Sequence, residues 1–142
     1  MIICKRLFRY PVAGLCLLML GCSENNADEK FVTTESGLKY VDLRKGTGEE
    51  AKKGDFIFVH YTGWLKNGDK FDSSRDRKTP FSFRLGNDEV IKGWDEGGVG
   101  MKVGGQRKLI IPSDLAYGKK GRRGIPPDAE LTFEIELLQI KR

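Results

Sequence analysis

Alternation of apolar and polar side chains along short segments is the feature that most restricts the fold of this chain. It is clearest between Leu131 and Ile140, and it recurs between Phe81 and Leu85. One face of the longer segment is uniformly apolar, with Leu131, Phe133, Ile135 and Leu137. Because successive side chains of a strand point to opposite faces, this pattern predicts strands that bury one face and leave the other polar.

Further segments rich in β-branched and aromatic residues extend this prediction. We predict strands at Leu38–Leu43, Phe56–Trp64, Lys70–Ser73 and Gln106–Ile111. Glycine-rich segments separate them, as expected of short strands joined by tight turns. A type I′ hairpin turn is predicted at Lys66-Asn67-Gly68-Asp69, because an Asn-Gly pair tolerates the positive φ angles of that turn.

One short helix is predicted among these strands, from Val90 to Glu96. Val90, Ile91 and Trp94 share one helical face there, and Gly97-Gly98 follows. A sheet with one apolar face and one helix to cover it defines an α+β fold in a single domain.

Cysteine and histidine are too scarce for several kinds of site. The three cysteines, Cys4, Cys16 and Cys22, lie in the first 22 residues, and His60 is the single histidine. The remaining 120 residues therefore cannot hold a disulfide framework, a cysteine-ligated zinc ion or a cysteine nucleophile. We expect neither a metal ion nor a cofactor, and a structural role for His60.

The first 22 residues have the pattern of an export signal. Lys5, Arg6 and Arg9 form a basic start, and an uncharged, mostly apolar segment follows from Val12 to Gly21. As a helix, that segment covers roughly 15 Å, about half of a bilayer core, and is too short to span a membrane. A basic start followed by a short apolar segment is typical of a secretory signal.

The end of this segment, Leu18-Met19-Leu20-Gly21-Cys22, resembles the lipobox of bacterial lipoprotein precursors, with Met19 where leucine is usual. The resemblance implies cleavage before Cys22 and attachment of lipid to that cysteine. Ser23 in the next position then implies sorting to the outer membrane, facing the periplasm. The alternative is an ordinary signal peptide in which Cys22 has no role.

These patterns divide the chain into a lipoprotein signal peptide at 1–21, a lipid-attached cysteine with a flexible tether at 22–36, and a globular domain at 37–142. Removal of the signal leaves 22 basic and 20 acidic residues, a net charge of +2 in place of +5. No basic stripe with interleaved aromatic residues is present, so we do not expect nucleic-acid binding.

Short segments of the globular part resemble, in order and spacing, the signature segments of FKBP-type peptidyl-prolyl cis-trans isomerases. They are Val59–Gly63, Phe71–Ser74, Pro80-Phe81, Val90–Trp94, Ala116–Gly118, Ile125–Pro127 and Leu131–Leu138. The resemblance implies a five-stranded antiparallel sheet wrapped around the short helix, with an apolar pocket between them. It also implies that this pocket binds a proline with its preceding residue and accelerates rotation about the bond that joins them.

The resemblance assigns roles to single residues. The catalytic positions are Tyr61, Asp72, Tyr117 and Phe133. The substrate-binding positions are Phe71, Phe81, Val90, Ile91, Trp94 and Ile125, with Trp94 as the pocket floor. The backbone N–H of Ile91 and the hydroxyl of Tyr117 are expected to anchor substrate carbonyls. Without the resemblance, the aromatic residues would be interpreted as core.

Asp72 has two possible roles. Oriented by Tyr61 and Arg77, its carboxylate is expected to interact with the twisted imide. Alternatively, a carboxyl group beside aromatic rings could have a raised pKa and donate a proton, although rotation about the bond needs no acid.

A basic segment, Lys119–Arg123, lies in the long connection between Pro112 and Leu131 and is expected to overhang the pocket. Its four cations could favour acidic clients or anionic polymers of the cell envelope. The alternative is a solvated, glycine-flexible loop tip. The connection is also one residue shorter before Pro126 than in well-known relatives, which bears on the contact expected of Ile125.

The sequence therefore predicts an isomerase that assists the folding of exported proteins and acts as a monomer. Its expected partners are proline-containing polypeptides, the macrolides tacrolimus and rapamycin, and a membrane reached through the lipid anchor. A non-catalytic module that binds proline segments, or a surface protein that keeps the fold as a scaffold, are the alternatives.

Overall fold

The computed structural model describes residues 30–142. The predicted signal peptide, Cys22 and the first part of the predicted tether lie outside the described residues. The strands are β1 (Val32–Thr33), β2 (Lys39–Arg44), β3 (Phe56–Leu65), β4 (Lys70–Ser73), β5 (Phe81–Arg84), β6 (Gln106–Ile111) and β7 (Leu131–Lys141). The helix is α1 (Lys92–Gly97), and two single-turn 3-10 helices lie between β6 and β7, at Ser113–Leu115 and Gly118–Lys120.

The strands form one antiparallel sheet in the order β1-β2-β6-β7-β3-β4. The long strand β3 pairs with β7 along its whole length. Its other edge is shared, because β5 pairs with Phe56–Val59 and β4 with Thr62–Trp64. The α+β class, with an antiparallel sheet around one short helix, is as predicted.

The number of strands differs from the expected five, since residues 30–142 contain seven. β4 and β5 occupy one edge of β3 in succession, so two strands stand at a single position in the sheet. The additional strand β1 pairs with Lys39 and Tyr40 of β2. It lies within the segment assigned to the tether, so regular structure begins before Gly37.

The hydrophobic core lies on the face of the sheet that the alternation predicted. Leu131, Phe133, Ile135 and Leu137 of β7 are at most 3% exposed. Odd-numbered side chains of β3 and β6 join them on this face, and α1 covers it. The even-numbered side chains of β7 from Thr132 to Leu138 are partly exposed.

Two glycines bring α1 close to the sheet. A Cβ atom at Gly93 would lie 2.5 Å from a methyl carbon of Ile111, and one at Gly97 would lie 2.7 Å from Leu109. These distances are too short for any larger residue without movement of the neighbours. The close packing sets the depth of Trp94, which lies on the same short helix and is 5% exposed.

The turn between β3 and β4 is not the predicted type I′ turn. Of its residues only Gly68 has a positive φ, at 92°, while type I′ needs two. The N–H of Gly68 donates to the carbonyl of Leu65 at 2.9 Å, and that of Leu65 donates to Asp69 at 2.8 Å. This is the pattern of a type I turn followed by a glycine bulge. The amide oxygen of Asn67 accepts from the N–H of Asp69 at 3.0 Å, which supports the turn locally.

Arg107 is the one arginine on the core face of β6. It is 7% exposed, and its guanidinium contacts Asp42 at 2.6 Å. It also donates to the carbonyls of Gly97 and Val99, at 3.0 and 3.1 Å, where α1 ends. The buried guanidinium is thus paired with a carboxylate, and it also donates hydrogen bonds to carbonyls that lack an intrahelical donor at the end of α1.

Within residues 30–142, no helix is long and apolar enough to cross a bilayer.

Candidate active site

A cavity of about 470 Å³ opens where α1, the middle of the sheet and the loop after β6 meet. Its wall combines aromatic and aliphatic side chains with a few polar ones. The lining residues are Tyr61, Phe71, Asp72, Arg77, Phe81, Glu89, Val90, Ile91, Trp94, Tyr117, Arg122 and Phe133. Nine of the ten predicted catalytic and substrate-binding residues are therefore brought together.

A second cavity of about 260 Å³ lies beside β2 and β6, with Asp42, Arg44, Lys45, Lys102 and Arg107 in its wall. This wall contains no aromatic ring, and half of its lining residues are charged. A proline ring needs apolar contact surface, so the chemistry of the lining favours the larger, aromatic cavity as the site.

Trp94 forms the floor of the aromatic cavity. Its ring centroid is 4.8 Å from that of Tyr61 and 5.1 Å from that of Phe133, and both pairs meet edge to face. The indole N–H is buried and has no hydrogen-bond partner among the described residues. Packing against the surrounding rings, rather than a hydrogen bond, therefore holds the indole in place.

Phe71 and Phe133 form the adjacent wall, with ring centroids 5.5 Å apart. Gly63 of β3 lies behind them and leaves room for both rings. A Cβ atom at this position would lie 2.6 Å from the Phe71 ring and 2.7 Å from the Phe133 ring. The absence of a side chain at position 63 thus determines how closely the two rings pack.

Asp72 is held at the rim by two neighbours. Tyr61 donates its hydroxyl proton to one carboxylate oxygen at 2.5 Å, and Arg77 pairs with the other oxygen. Arg77 also donates to the Tyr61 hydroxyl at 2.8 Å. The three polar groups therefore form a closed triangle in which each fixes the other two.

This triangle sets the protonation state of Asp72. Burial tends to raise the pKa of the carboxyl group, but the hydrogen bonds from Tyr61 and Arg77, with the charge of Arg77, outweigh it and leave the pKa below its usual value. Burial and the bond to Asp72 raise the pKa of Tyr61. At neutral pH, Asp72 is ionised and Tyr61 is a donor. This geometry disfavours the alternative in which Asp72 donates a proton.

Two free donors face the remainder of the cavity. The backbone N–H of Ile91, at the N-cap of α1, has no acceptor among residues 30–142, as expected at the start of a helix. The helix itself begins at Lys92 rather than at the predicted Val90. The Tyr117 hydroxyl accepts a hydrogen bond from Arg122 at 3.0 Å and so keeps its own proton for another acceptor. These are the two groups expected to anchor substrate carbonyls.

A family model described as FKBP-type peptidyl-prolyl cis-trans isomerase matches residues 47–138. The chain belongs to this family. It is 60% identical over 105 residues to an FK506-binding protein of Neisseria meningitidis serogroup B, covering 73% of this chain and 96% of that protein. It is 50% identical over 107 residues to the peptidyl-prolyl cis-trans isomerase Fkbp12 of Drosophila melanogaster, covering 74% of this chain and 99% of that one.

Solved FKBP structures resemble the fold as well. The crystal structure of AtFKBP13 superposes with a TM-score of 0.73 at 45% identity, covering 79% of this chain and 99% of that chain. The crystal structure of FkpA from Escherichia coli gives the same TM-score at 48% identity, covering 78% of this chain and 51% of that chain. The chain is thus an FKBP-type peptidyl-prolyl cis-trans isomerase.

Ile125 is the one predicted binding residue that does not line the cavity of this FKBP domain. Its side chain is 6% exposed and joins the hydrophobic core. Its backbone bonds to Arg122 in both directions, which turns the side chain inward. The structure therefore places Ile125 in the core rather than in the cavity wall, and its contact with substrate stays a prediction.

Glu89 is the lining residue that the sequence analysis missed. It accepts a hydrogen bond from the backbone N–H of Arg84 at 2.9 Å. Its position directly before Val90 was the only available signal. His60, by contrast, lies outside the lining and contacts Ser74 at 2.8 Å, in keeping with the structural role predicted for it.

Among residues 30–142, no group of three or more histidine, cysteine, aspartate or glutamate side chains is placed to hold a metal ion.

Proposed function

We propose that the aromatic cavity binds X-Pro segments and accelerates rotation mainly by removing water from the prolyl amide. Resonance holds this amide planar, and rotation must cross about 18–20 kcal/mol. The planar form is more polarised than the twisted one, so water stabilises it more. A cavity lined by Tyr61, Phe81, Trp94 and Phe133 replaces that water with weakly polar surface and lowers the barrier.

The polar groups of the site hold the segment during rotation. The free N–H of Ile91 and the hydroxyl of Tyr117 anchor two substrate carbonyls, so that the bond between them turns within a fixed frame. Asp72 remains ionised and faces the imide from the rim. The observation that carries the proposal is this combination of an indole floor with two free donors and an oriented carboxylate.

Isomerisation by this mechanism is expected to be independent of pH between about pH 5 and 8. Asp72 has a lowered pKa and stays charged above the ordinary value of 3.8, and Tyr61 has a raised pKa and stays neutral below the ordinary value of 10.0. NMR exchange spectroscopy on a blocked, uncharged X-Pro peptide with substoichiometric full-length protein measures the rate. A sigmoidal loss of exchange rate within this pH window, present in the unmodified protein and absent when Asp72 is replaced, would indicate proton transfer instead.

Matched variants test the role of the carboxylate. Asp72→Asn is expected to lower the exchange rate by about tenfold or more, equivalent to ~1.4 kcal/mol in the barrier. Asp69→Asn is the control, because Asp69 lies on the same hairpin and is exposed, and its carboxylate accepts a hydrogen bond only from the turn residue Asn67. Saturable peptide binding without exchange by the unmodified protein would favour the non-catalytic binding module.

We further propose that the enzyme is a lipid-anchored monomer of the cell envelope that acts on exported proteins. The basic start, the apolar segment and the cysteine at position 22 support an exported lipoprotein. Nine of the ten predicted site residues meet in one cavity of a single chain, an arrangement compatible with action as a monomer. The names of the Neisseria relatives support binding of FK506 (tacrolimus), and rapamycin is expected to compete for the same cavity.

Replacement of Cys22 by serine tests the anchor. In a diderm bacterial host, the unmodified protein is expected to incorporate labelled palmitate and to sediment with outer membranes, whereas Cys22→Ser should incorporate none. Cys16→Ser is the control, since Cys16 lies within the apolar segment of the signal. Equal labelling of the two variants would contradict attachment at Cys22, and an unlabelled wild-type protein would support an ordinary signal peptide.

A further inference from the structure

The basic segment Lys119–Arg123 is part of a closed turn rather than an open loop tip. Arg122 and Ile125 exchange backbone hydrogen bonds at 2.9 and 2.7 Å. Gly121 has a φ of 61°, and a Cβ atom there would lie 2.5 Å from the carbonyl oxygen of Ile125. The buried side chain of Ile125 ties this turn to the core. The backbone of Arg122 is therefore held in one place beside the cavity.

The side chain of Arg122 is also held. Its guanidinium donates to the Tyr117 hydroxyl at 3.0 Å and lies 5.5 Å from the centre of the Tyr117 ring. Only one of its five N–H donors is used in this contact. An arginine fixed in this way loses less side-chain entropy when it binds a carboxylate than a free surface arginine does.

The charges around the cavity leave Arg122 without a counterion. Asp72 and Arg77 neutralise each other. Glu89 keeps its negative charge, but its carboxylate accepts from the backbone N–H of Arg84 and forms no ion pair with Arg122. Within residues 30–142, none of Lys119, Lys120, Arg122 and Arg123 forms an ion pair. The side of the cavity next to Tyr117 is thus positively charged.

We propose that Arg122 is a specificity-determining residue that selects X-Pro segments with an acidic side chain next to the proline. This inference rests on the proposed function, since it assumes that the proline occupies the cavity above Trp94. Tyr117 then anchors a backbone carbonyl of the segment. A glutamate or aspartate one residue from the proline brings its carboxylate to the unused donors of Arg122, which can bind it through two parallel hydrogen bonds.

Paired peptides test this selection. Blocked Ala-Glu-Pro-Phe-Ala and Ala-Gln-Pro-Phe-Ala differ by one charge, and a second pair carries Glu or Gln after the proline. Dissociation constants are measured from tryptophan fluorescence and exchange rates by NMR, both with the full-length protein at low and physiological salt. The unmodified protein is expected to prefer a glutamate peptide by about two- to fivefold at low salt, and less at high salt.

Three variants separate this role from a merely structural one. Arg122→Gln is expected to bring the Glu-to-Gln preference to about one. Arg122→Lys should keep part of it, because lysine keeps the charge without the planar fork. Arg123→Gln is the matched control, since Arg123 is exposed and does not line the cavity, and it should keep the full preference. A purely structural Arg122 would change both members of a pair equally.

The two measurements distinguish the failure of this inference from that of the proposed function. Equal dissociation constants for the glutamate and glutamine peptides in the unmodified protein, or an unchanged preference in Arg122→Gln, would overturn selection by Arg122. Tighter binding of the glutamate peptide without any exchange would support the selection and contradict the proposed catalysis. If both peptide pairs exchange at equal rates and bind with equal affinities, the proposed catalysis is supported and selection by Arg122 is contradicted.

Discussion

Replacement of Trp94 by alanine is expected to lower the free energy of unfolding by about 3–5 kcal/mol and to abolish isomerase activity. The indole packs against four other rings, those of Tyr61, Phe81, Phe83 and Phe133, with centroids 4.8 to 5.9 Å away. Its removal leaves a void under the cavity and takes away the surface on which the proline ring is expected to rest. Thermal denaturation and the peptide exchange assay measure the two effects.

Two comparisons keep this prediction testable should Trp94→Ala fold poorly. Trp94→Phe keeps a ring and removes the unpartnered indole N–H, so we expect a smaller loss of stability and measurable residual activity. Trp64→Ala is the control, because Trp64 is only partly buried and lies outside the core cluster. If either Trp94→Ala or Trp94→Phe folds and exchanges the peptide at the wild-type rate, the role of the indole as the floor is contradicted.

Replacement of Gly63 by alanine is expected to have the second largest effect, through the shape of the site. The new methyl group would come within 2.7 Å of the Phe71 and Phe133 rings, and at least one ring must move into the cavity. Overpacking of this kind costs about 1–3 kcal/mol of stability. Because both rings form the wall, we expect the exchange rate to fall by at least about tenfold, or ~1.4 kcal/mol in the barrier.

A double-mutant cycle identifies the clash as the cause. Phe71→Leu removes the ring atom nearest to the new methyl group, at 2.6 Å. The Gly63→Ala/Phe71→Leu protein is therefore expected to lose less free energy of unfolding than the two single variants lose together. The expected difference is about 0.5–1 kcal/mol. Additive effects on unfolding free energy would mean that the methyl group acts elsewhere, for example through the pairing of β3 with β7.

The strands could be predicted because burial follows directly from alternation. Gln106–Ile111 has the bounds that the sequence indicated, and β7 extends the predicted segment only to Lys141. The start of α1 could not be predicted this way, since Val90 and Ile91 share a face with Trp94 in either conformation. In the structure Ile91 has a ψ of 148°, which is not helical. Strand β1 was not predicted, because its two residues are both exposed and show no alternation of apolar and polar side chains.

The site was predicted by resemblance rather than by pattern. Spacing in the sequence contains nothing that brings Asp72 to Tyr61 or Trp94 to Phe133. The turn that contains the buried Ile125 is closed by backbone hydrogen bonds with Arg122, which no pattern of residue types indicates. The hydrogen bond of Glu89 could not be predicted from residue types, because its donor is the backbone N–H of Arg84. The expected type I′ turn failed for a related reason, since Asn-Gly is compatible with more than one turn.

The pairing of β3 with β7 has a consequence for the synthesis of the protein. Gly63 and Phe133 lie opposite each other in the sheet although 70 residues separate them in the chain. A ribosome must release the polypeptide as far as β7 before this pair of strands can meet, and such distant pairing forms slowly. No nascent fragment that stops before β7 can contain a complete wall around the indole, so the enzyme cannot begin to work on other chains until its own β7 has been synthesised.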